Sequence, residues 1–177
     1  MKKIIFCGRV GCGKTTLTQA LKGENLSYHK TQYINHYDMI IDTPGEYSEN
    51  KKMVRAVLLY SFEADVVGLM ASSMEEYTLY PPNIVYLATR PVIGIVTQID
   101  RPNCRPDWAE LYLRLAGCKK IFWISSVTGE GIPDLMDYLR DPGDEFPWDN
   151  DPEFWAKRQK DKEREVQLGR FGFDRLK

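Results

Sequence analysis

Gly8-Arg9-Val10-Gly11-Cys12-Gly13-Lys14-Thr15 completes the pattern G-x-x-x-x-G-K-[ST], and its surroundings decide how it is read. The apolar run Ile4-Ile5-Phe6-Cys7 before it reads as a buried strand, and Leu17, Ala20 and Leu21 after it recur at helical spacing. Strand, glycine loop and helix together spell a phosphate-binding loop. Gly8, Gly11 and Gly13 let backbone N–H groups converge on phosphate oxygens without side chains in the way. The helix that follows turns its positive N-terminal end to the same anion. Lys14 is then placed to reach the β- and γ-phosphates, and the Thr15 hydroxyl to ligate Mg2+. The residues expected to contact the nucleotide here are Gly8, Val10, Gly11, Cys12, Gly13, Lys14, Thr15 and Thr16. The competing reading is an ordinary glycine-rich turn.

Bulk properties fit one domain with an appendage. At 177 residues the chain can bury a full core. Its net charge of −1 gives no global reason to expect nucleic-acid binding. No apolar run approaches the roughly 20 residues that span a bilayer, and Gly8 and Lys14 cut short the apolar segment that opens like a signal peptide. Cys7, Cys12, Cys104 and Cys118 are scattered, with no C-x-x-C pair and no histidine nearby, which argues against zinc and for a reducing cytoplasm. Cys12 reads as a small residue that fits the loop, with oxidation of an open site as the alternative.

Downstream, strand-like runs alternate with amphipathic segments, the signature of a parallel α/β sheet. Met39-Ile40-Ile41, Ala64 to Met70, Pro91 to Val96 and Ile121 to Ile124 are expected strands. Lys52 to Phe62, a short segment opened by Pro81-Pro82, Trp108 to Leu115 and Ile132 to Leu139 are expected helices. Beyond Leu139 the character changes. Asp141 to Glu153 holds six acidic residues and no basic one, while Lys157 to Lys177 holds eight basic and four acidic residues. Phe146, Trp148, Phe154 and Trp155 interleave with the acidic part. Aromatics usually find something to pack on, so this stretch either folds back on the domain or docks a protein partner. A polar helix is expected over Lys157 to Glu165.

Four further signals fall at strand ends, where α/β folds place ligands. Asp42-Thr43-Pro44-Gly45 reads as D-x-x-G, with Asp42 holding Mg2+ through water and the Gly45 N–H sensing the γ-phosphate. Thr31 precedes that strand and suits the mobile threonine that completes Mg2+ coordination. Thr97-Gln98-Ile99-Asp100 is a T-x-x-D element whose carboxylate can accept two hydrogen bonds from guanine that adenine does not offer. The alternative is that Asp100 only caps a loop before Pro102. Ser125-Ser126, with Gly129-Glu130-Gly131, closes the last strand and joins the nucleotide-contacting set. Lys14, Thr31 and Gly45 are the expected catalytic residues, and Thr15, Thr31 and Asp42 the expected metal ligands.

In this order and spacing, the chain resembles a small Ras-like (TRAFAC-type) GTPase, and most closely the EutP/PduV family of ethanolamine and propanediol utilisation. The residues carrying the closer match are 8–17, Lys30-Thr31-Gln32 and Ile41 to Tyr47. The resemblance covers Met1 to Leu139. It implies a P-loop NTPase fold, a Ras-like three-layer α/β/α sandwich with a mostly parallel sheet over residues 1–140. A C-terminal extension, 141–177, follows. It also implies Mg2+ with GTP or GDP as cofactors, ATP being the alternative, and an accessory role in bacterial microcompartments, with the shell as a candidate protein partner.

Two departures bear on activity. Gln98 stands where the base-recognition element usually carries lysine, so guanine affinity should weaken. Glu46 stands where Ras-type enzymes place glutamine, and Val10 puts a branched side chain near the γ-phosphate. Intrinsic hydrolysis should therefore be slow and depend on a partner or on dimerisation. Three readings stay open: a GTP-dependent switch, an ATP-using phosphotransferase of the small-kinase type, and a nucleotide-binding adaptor that does not hydrolyse. Arg90, Arg101 and Arg105 form no lid pattern, which favours the switch over the kinase.

Overall fold

A computed structural model describes residues 1–21, 40–41, 60–154 and 156. The chain divides into two compact units, Met1–Asp141 and Pro142–Lys177. In the first, five strands form one sheet: β1 (Ile4–Cys7), β2 (Ile40–Ile41), β3 (Val66–Ser72), β4 (Val92–Thr97) and β5 (Ile121–Ile124). All four pairings are parallel, in the spatial order β2-β1-β3-β4-β5. Parallel strands covered on both faces need continuous apolar runs. Every residue of β1 and β3 is buried accordingly. Among the described residues of this unit the helices are α1 (Lys14–Leu21), α2 (Pro106–Leu115) and α3 (Ile132–Leu139), with single 3₁₀ turns at Tyr60–Glu63 and Ile84–Leu87.

Side chains alternate across the sheet and define its two faces. Ile5, Cys7, Val67, Leu69, Ala71 and Val96 share one cluster with Ala109, Leu113 and Ala116 of α2 and its end. On the other face, Gly68 leaves room that Ile4, Phe6 and Ile95 fill: an added Cβ would come within 3.0–3.3 Å of all three. Phe122, paired in register with Ile95, meets Tyr138 of α3 with ring centroids 5.6 Å apart. The domain is therefore a three-layer α/β/α sandwich. Burying one such side chain contributes about 1.5–3 kcal/mol, which is why the apolar runs dominate the element pattern.

Helix and strand ends differ from the sequence expectations by small, explicable steps. Residue pair Pro106-Asp107 belongs to α2, because proline at the first helical position gives up an N–H that no helix bond would use. The segment after Pro81-Pro82 is only a 3₁₀ turn, preceded by Asn83 in the left-handed region at φ 59°. On α2, Glu110 is buried but fully engaged: Arg114 Nη2 lies 2.7 Å from its Oε1, and Trp123 Nε1 donates to its Oε2 at 2.7 Å. The helix expected over Lys52 to Phe62 lies outside the described residues up to position 59. Among the described residues no helix is long and apolar enough to cross a membrane.

In the second unit the described part is short. Phe146 stacks on Trp148 with centroids 5.0 Å apart, and Trp148 on Phe154 at 5.9 Å. The Asp149 carboxylate accepts the Phe146 N–H at 2.7 Å, and Asp151 Oδ1 accepts the N–H groups of Glu153 and Phe154 at 3.0 Å. The acidic side chains thus cap turns that carry the rings. The helix expected over Lys157 to Glu165 lies outside the described residues.

Candidate functional site

Strand order reverses between β1 and β3, and in open α/β sheets that switch point is where ligands sit, outside the carboxyl ends of the strands. The loop 8–13 leaves β1 at this point and enters α1. Gly8 must be glycine: a Cβ there would lie 2.5 Å from Cys12 Sγ and 2.9 Å from the Met70 carbonyl. Lys14, 7% exposed, donates from Nζ to the carbonyls of Gly8 and Arg9, each at 2.7 Å, with Cys12 Sγ at 3.9 Å. Among the described residues no carboxylate forms an ion pair with this ammonium. A cation held by carbonyls at a helix N-terminus suits a polyphosphate.

The T-x-x-D loop grips this loop from the sheet side. Thr97, 2% exposed, donates its hydroxyl to the Cys12 carbonyl at 2.7 Å. Gln98 Nε2 donates to the Gly11 carbonyl at 3.0 Å. In a trans peptide the N–H points opposite the C=O, so fixing the Cys12 carbonyl turns the Gly13 N–H to the opposite side. Asp100 follows two residues later and is exposed. Gln98 reaches the phosphate loop although it is shorter than the lysine usual at this place.

After β5 the loop 125–131 is bonded to itself. Ser125 is fully buried, and its hydroxyl accepts the N–H groups of Val127 at 3.3 Å and Thr128 at 3.0 Å. Gly131, at φ 74°, passes so close to Trp123 that a Cβ would lie 1.9 Å from the Trp123 carbonyl oxygen. Ser125 shapes this loop from within, while Ser126 is half-buried and Val127 and Thr128 are exposed.

Several neighbours were not legible as site residues. The Tyr80 hydroxyl lies 2.8 Å from both the Cys7 and Met70 carbonyls, joining the ends of β1 and β3 beneath the loop. Burial raises its phenol well above the usual value. The Arg9 guanidinium sits 4.8 Å from the centre of the Tyr77 ring. Glu75 Oε1 accepts the Ser72 N–H at 3.2 Å. Burial pushes its carboxyl up, against the opposing pull of that N–H and of Arg9 and Lys14. The Tyr80–Cys7 and Arg9–Tyr77 pairs join residues far apart in sequence, with no period to show them, whereas Ser72 and Glu75 lie three positions apart at the end of β3. Cys12 is 1% exposed, and burial pushes its thiol up to about 11, so it stays protonated and unreactive at neutral pH.

Of the predicted residues, the structure brings Gly8, Val10, Gly11, Cys12, Gly13, Lys14, Thr15 and Thr16 to the β1–α1 junction. Thr97, Gln98 and Asp100 lie at the end of β4, and Ser125 and Ser126 at the end of β5. Val10 is 58% exposed. Thr15 is exposed at the start of α1, where its hydroxyl could ligate Mg2+ beside a phosphate. Thr31, Asp42, Gly45 and Glu46 lie outside the described residues.

The chain is similar to known proteins over most of its length. The chain is 38% identical over 140 residues to a propanediol utilization protein, PduV, of Citrobacter freundii, covering 78% of this chain and 93% of that one. It is 30% identical over 142 residues to a protein of Salmonella typhimurium named probable acetate kinase EutP, covering 78% and 89% respectively. Among solved structures, the G domain of the T. maritima FeoB iron transporter matches with a TM-score of 0.50 and 28% identity, over 77% of this chain and 95% of that one. The family model for ethanolamine utilisation–propanediol utilisation matches residues 1–141. With a GTPase-type fold and this match over most of its length, the chain belongs to the PduV-EutP family of ethanolamine and propanediol utilisation.

Proposed function

We propose that this protein binds guanine nucleotide with Mg2+ and hydrolyses GTP slowly, as a switch serving ethanolamine or propanediol utilisation. The observation that carries the reading is the buried Lys14 ammonium, held by two loop carbonyls and the Cys12 sulfur with no carboxylate partner among the described residues, in a loop that Thr97 and Gln98 clip to the Asp100 segment. Phosphate-binding and base-reading elements are thereby held in one frame. Asp100 accepts the guanine N1–H and N2 amine, and Ser126 flanks the base. Lys14 holds the β- and γ-phosphates, Thr15, Thr31 and Asp42 serve Mg2+, and Gly45 senses the γ-phosphate. Hydrolysis is slow because Glu46 replaces a water-orienting glutamine and exposed Val10 crowds the γ-phosphate side. The extension 142–177 recruits a protein partner, the microcompartment shell being the candidate, and the protein works in the cytoplasm or at that shell.

A second reading has one observation in its favour: the Salmonella relative carries the name of a probable acetate kinase. Under it, the site would bind ATP and pass the γ-phosphoryl group to a small carboxylate. Titrating the full chain with GDP, GTP, ADP and ATP in Mg2+ separates the two. Preference for the guanine pair by tenfold or more supports the switch. Equal or better ADP and ATP binding, with ATP turnover stimulated by acetate, overturns it.

A further inference from the structure

We infer that Gln98 is a positioning residue at the centre of a hydrogen-bond relay that makes the segment after β3 part of the nucleotide site; the inference rests on the nucleotide reading above. The relay has a direction. The Met74 N–H donates to Ser72 Oγ at 3.1 Å, so the one hydroxyl hydrogen of Ser72 goes to Gln98 Oε1. That fixes the amide, and Nε2 then faces the Gly11 carbonyl at 3.0 Å. Donation runs from the Met74 N–H through Ser72 and Gln98 to the Gly11 carbonyl, from the loop after β3 into the phosphate loop.

The backbone is bent to match. Gln98 sits in the left-handed region at φ 60°, which non-glycine residues rarely adopt. Its own carbonyl accepts the Ser73 hydroxyl at 2.8 Å, so two successive serines hold Gln98 at both backbone and side chain. Its neighbour Thr97 pins the next carbonyl of the phosphate loop, that of Cys12. A lysine at 98 could donate to Gly11 but could not accept the Ser72 hydrogen. Gln98 is therefore no shortened lysine: it exchanges a charge for a connector with a donor at one end and an acceptor at the other. Because both ends of its amide are taken within the protein, it shapes the phosphate loop and leaves base choice to Asp100.

The test compares Gln98→Ala, Gln98→Glu, Gln98→Lys, Ser72→Ala and the Ser72→Ala/Gln98→Ala double variant in the full chain. Mg2+-GDP and Mg2+-ADP affinities and urea unfolding are measured on each. Gln98→Ala is expected to weaken both nucleotides by about tenfold and by the same factor, leaving their ratio unchanged. Gln98→Glu, which cannot donate to Gly11, behaves no better, and Gln98→Lys restores most of the affinity. Ser72→Ala costs a few-fold, and the double variant is no worse than Gln98→Ala, a coupling also visible as at least about a twofold non-additivity in the unfolding constant. Additive effects of the two substitutions, or a Gln98→Ala effect confined to the guanine nucleotide, would overturn the relay. If wild type binds neither nucleotide, the functional reading fails, while the urea cycle still decides the relay by the presence or absence of coupling.

Discussion

The hydroxyl of Thr97 donates to the carbonyl of Cys12 at 2.7 Å, joining the end of β4 to the phosphate loop across a buried contact. Thr97→Val keeps the side-chain shape and removes the donor, leaving a buried carbonyl unpaired. Stability should fall by about 1–3 kcal/mol in urea unfolding, and Thr97→Ser should recover most of it. Equal stability of the valine variant would show that the bond holds nothing.

Lys14→Ala should abolish triphosphate binding and leave the domain folded. Its ammonium addresses carbonyls and ligand, whereas the fold rests on the apolar strands around it. Thr15→Ala should remove the Mg2+-dependent part of the affinity in the same way. Circular dichroism and a fluorescent-nucleotide titration check both; a folded Lys14→Ala protein with unchanged affinity would refute the phosphate-loop assignment.

Two acids, half-buried Glu75 and buried Tyr80, predict opposite ends of the pH profile. The Glu75 carboxyl is raised by burial above its ordinary 4.5. The unfolded chain therefore loses this proton first, and folded stability declines as pH rises from 4.5 through the raised value. Glu75→Gln keeps an acceptor for the Ser72 N–H and should flatten that decline, leaving the variant the more stable at neutral pH. The Tyr80 phenol is raised well above 10.0, so stability should fall again above pH 10 as unfolded Tyr80 ionises while the folded form does not. Tyr80→Phe should remove that alkaline loss. Thermal melts from pH 4 to 11 read both; unchanged slopes in the variants would contradict these assignments.

Much of the frame is visible in the sequence because its signals are local. The run Ile4-Ile5-Phe6-Cys7, the glycine loop and Leu17 with Leu21 each follow a short period, and the structure has β1, the loop and α1 there. The Val92–Thr97 and Ile121–Ile124 strands follow for the same reason. What stayed hidden depends on strands meeting across the sheet. Tyr80 finds Cys7, 73 positions away, only because β1 and β3 are neighbours. Gln98 finds Gly11 across 87 positions, so the sequence showed a missing lysine where the fold shows a bonded amide. Ser72 ends β3 beyond its apolar run and Ser73 opens the turn after it, and their partner lies in the next strand's loop.

Deleting 142–177 should leave Mg2+-nucleotide affinity within about tenfold, roughly 1.4 kcal/mol, because the nucleotide-site residues assigned here all lie within the unit Met1–Asp141. The same deletion should impair recruitment of the protein to its assembly, followed with a fluorescent fusion in cells. A truncated protein that keeps its localisation and loses nucleotide binding would reverse this division of labour.

The most direct test of the guanine-nucleotide claim is calorimetric titration of wild type and Asp100→Asn with GDP and xanthosine diphosphate. Removing the paired carboxylate should cost GDP binding on the order of 2–4 kcal/mol, because guanine donors are left unmatched. The asparagine amide can donate to the extra carbonyl of xanthine, so the variant should prefer xanthosine diphosphate while wild type prefers GDP. If both proteins bind the two nucleotides alike, Asp100 does not read the base and the account is wrong at its centre.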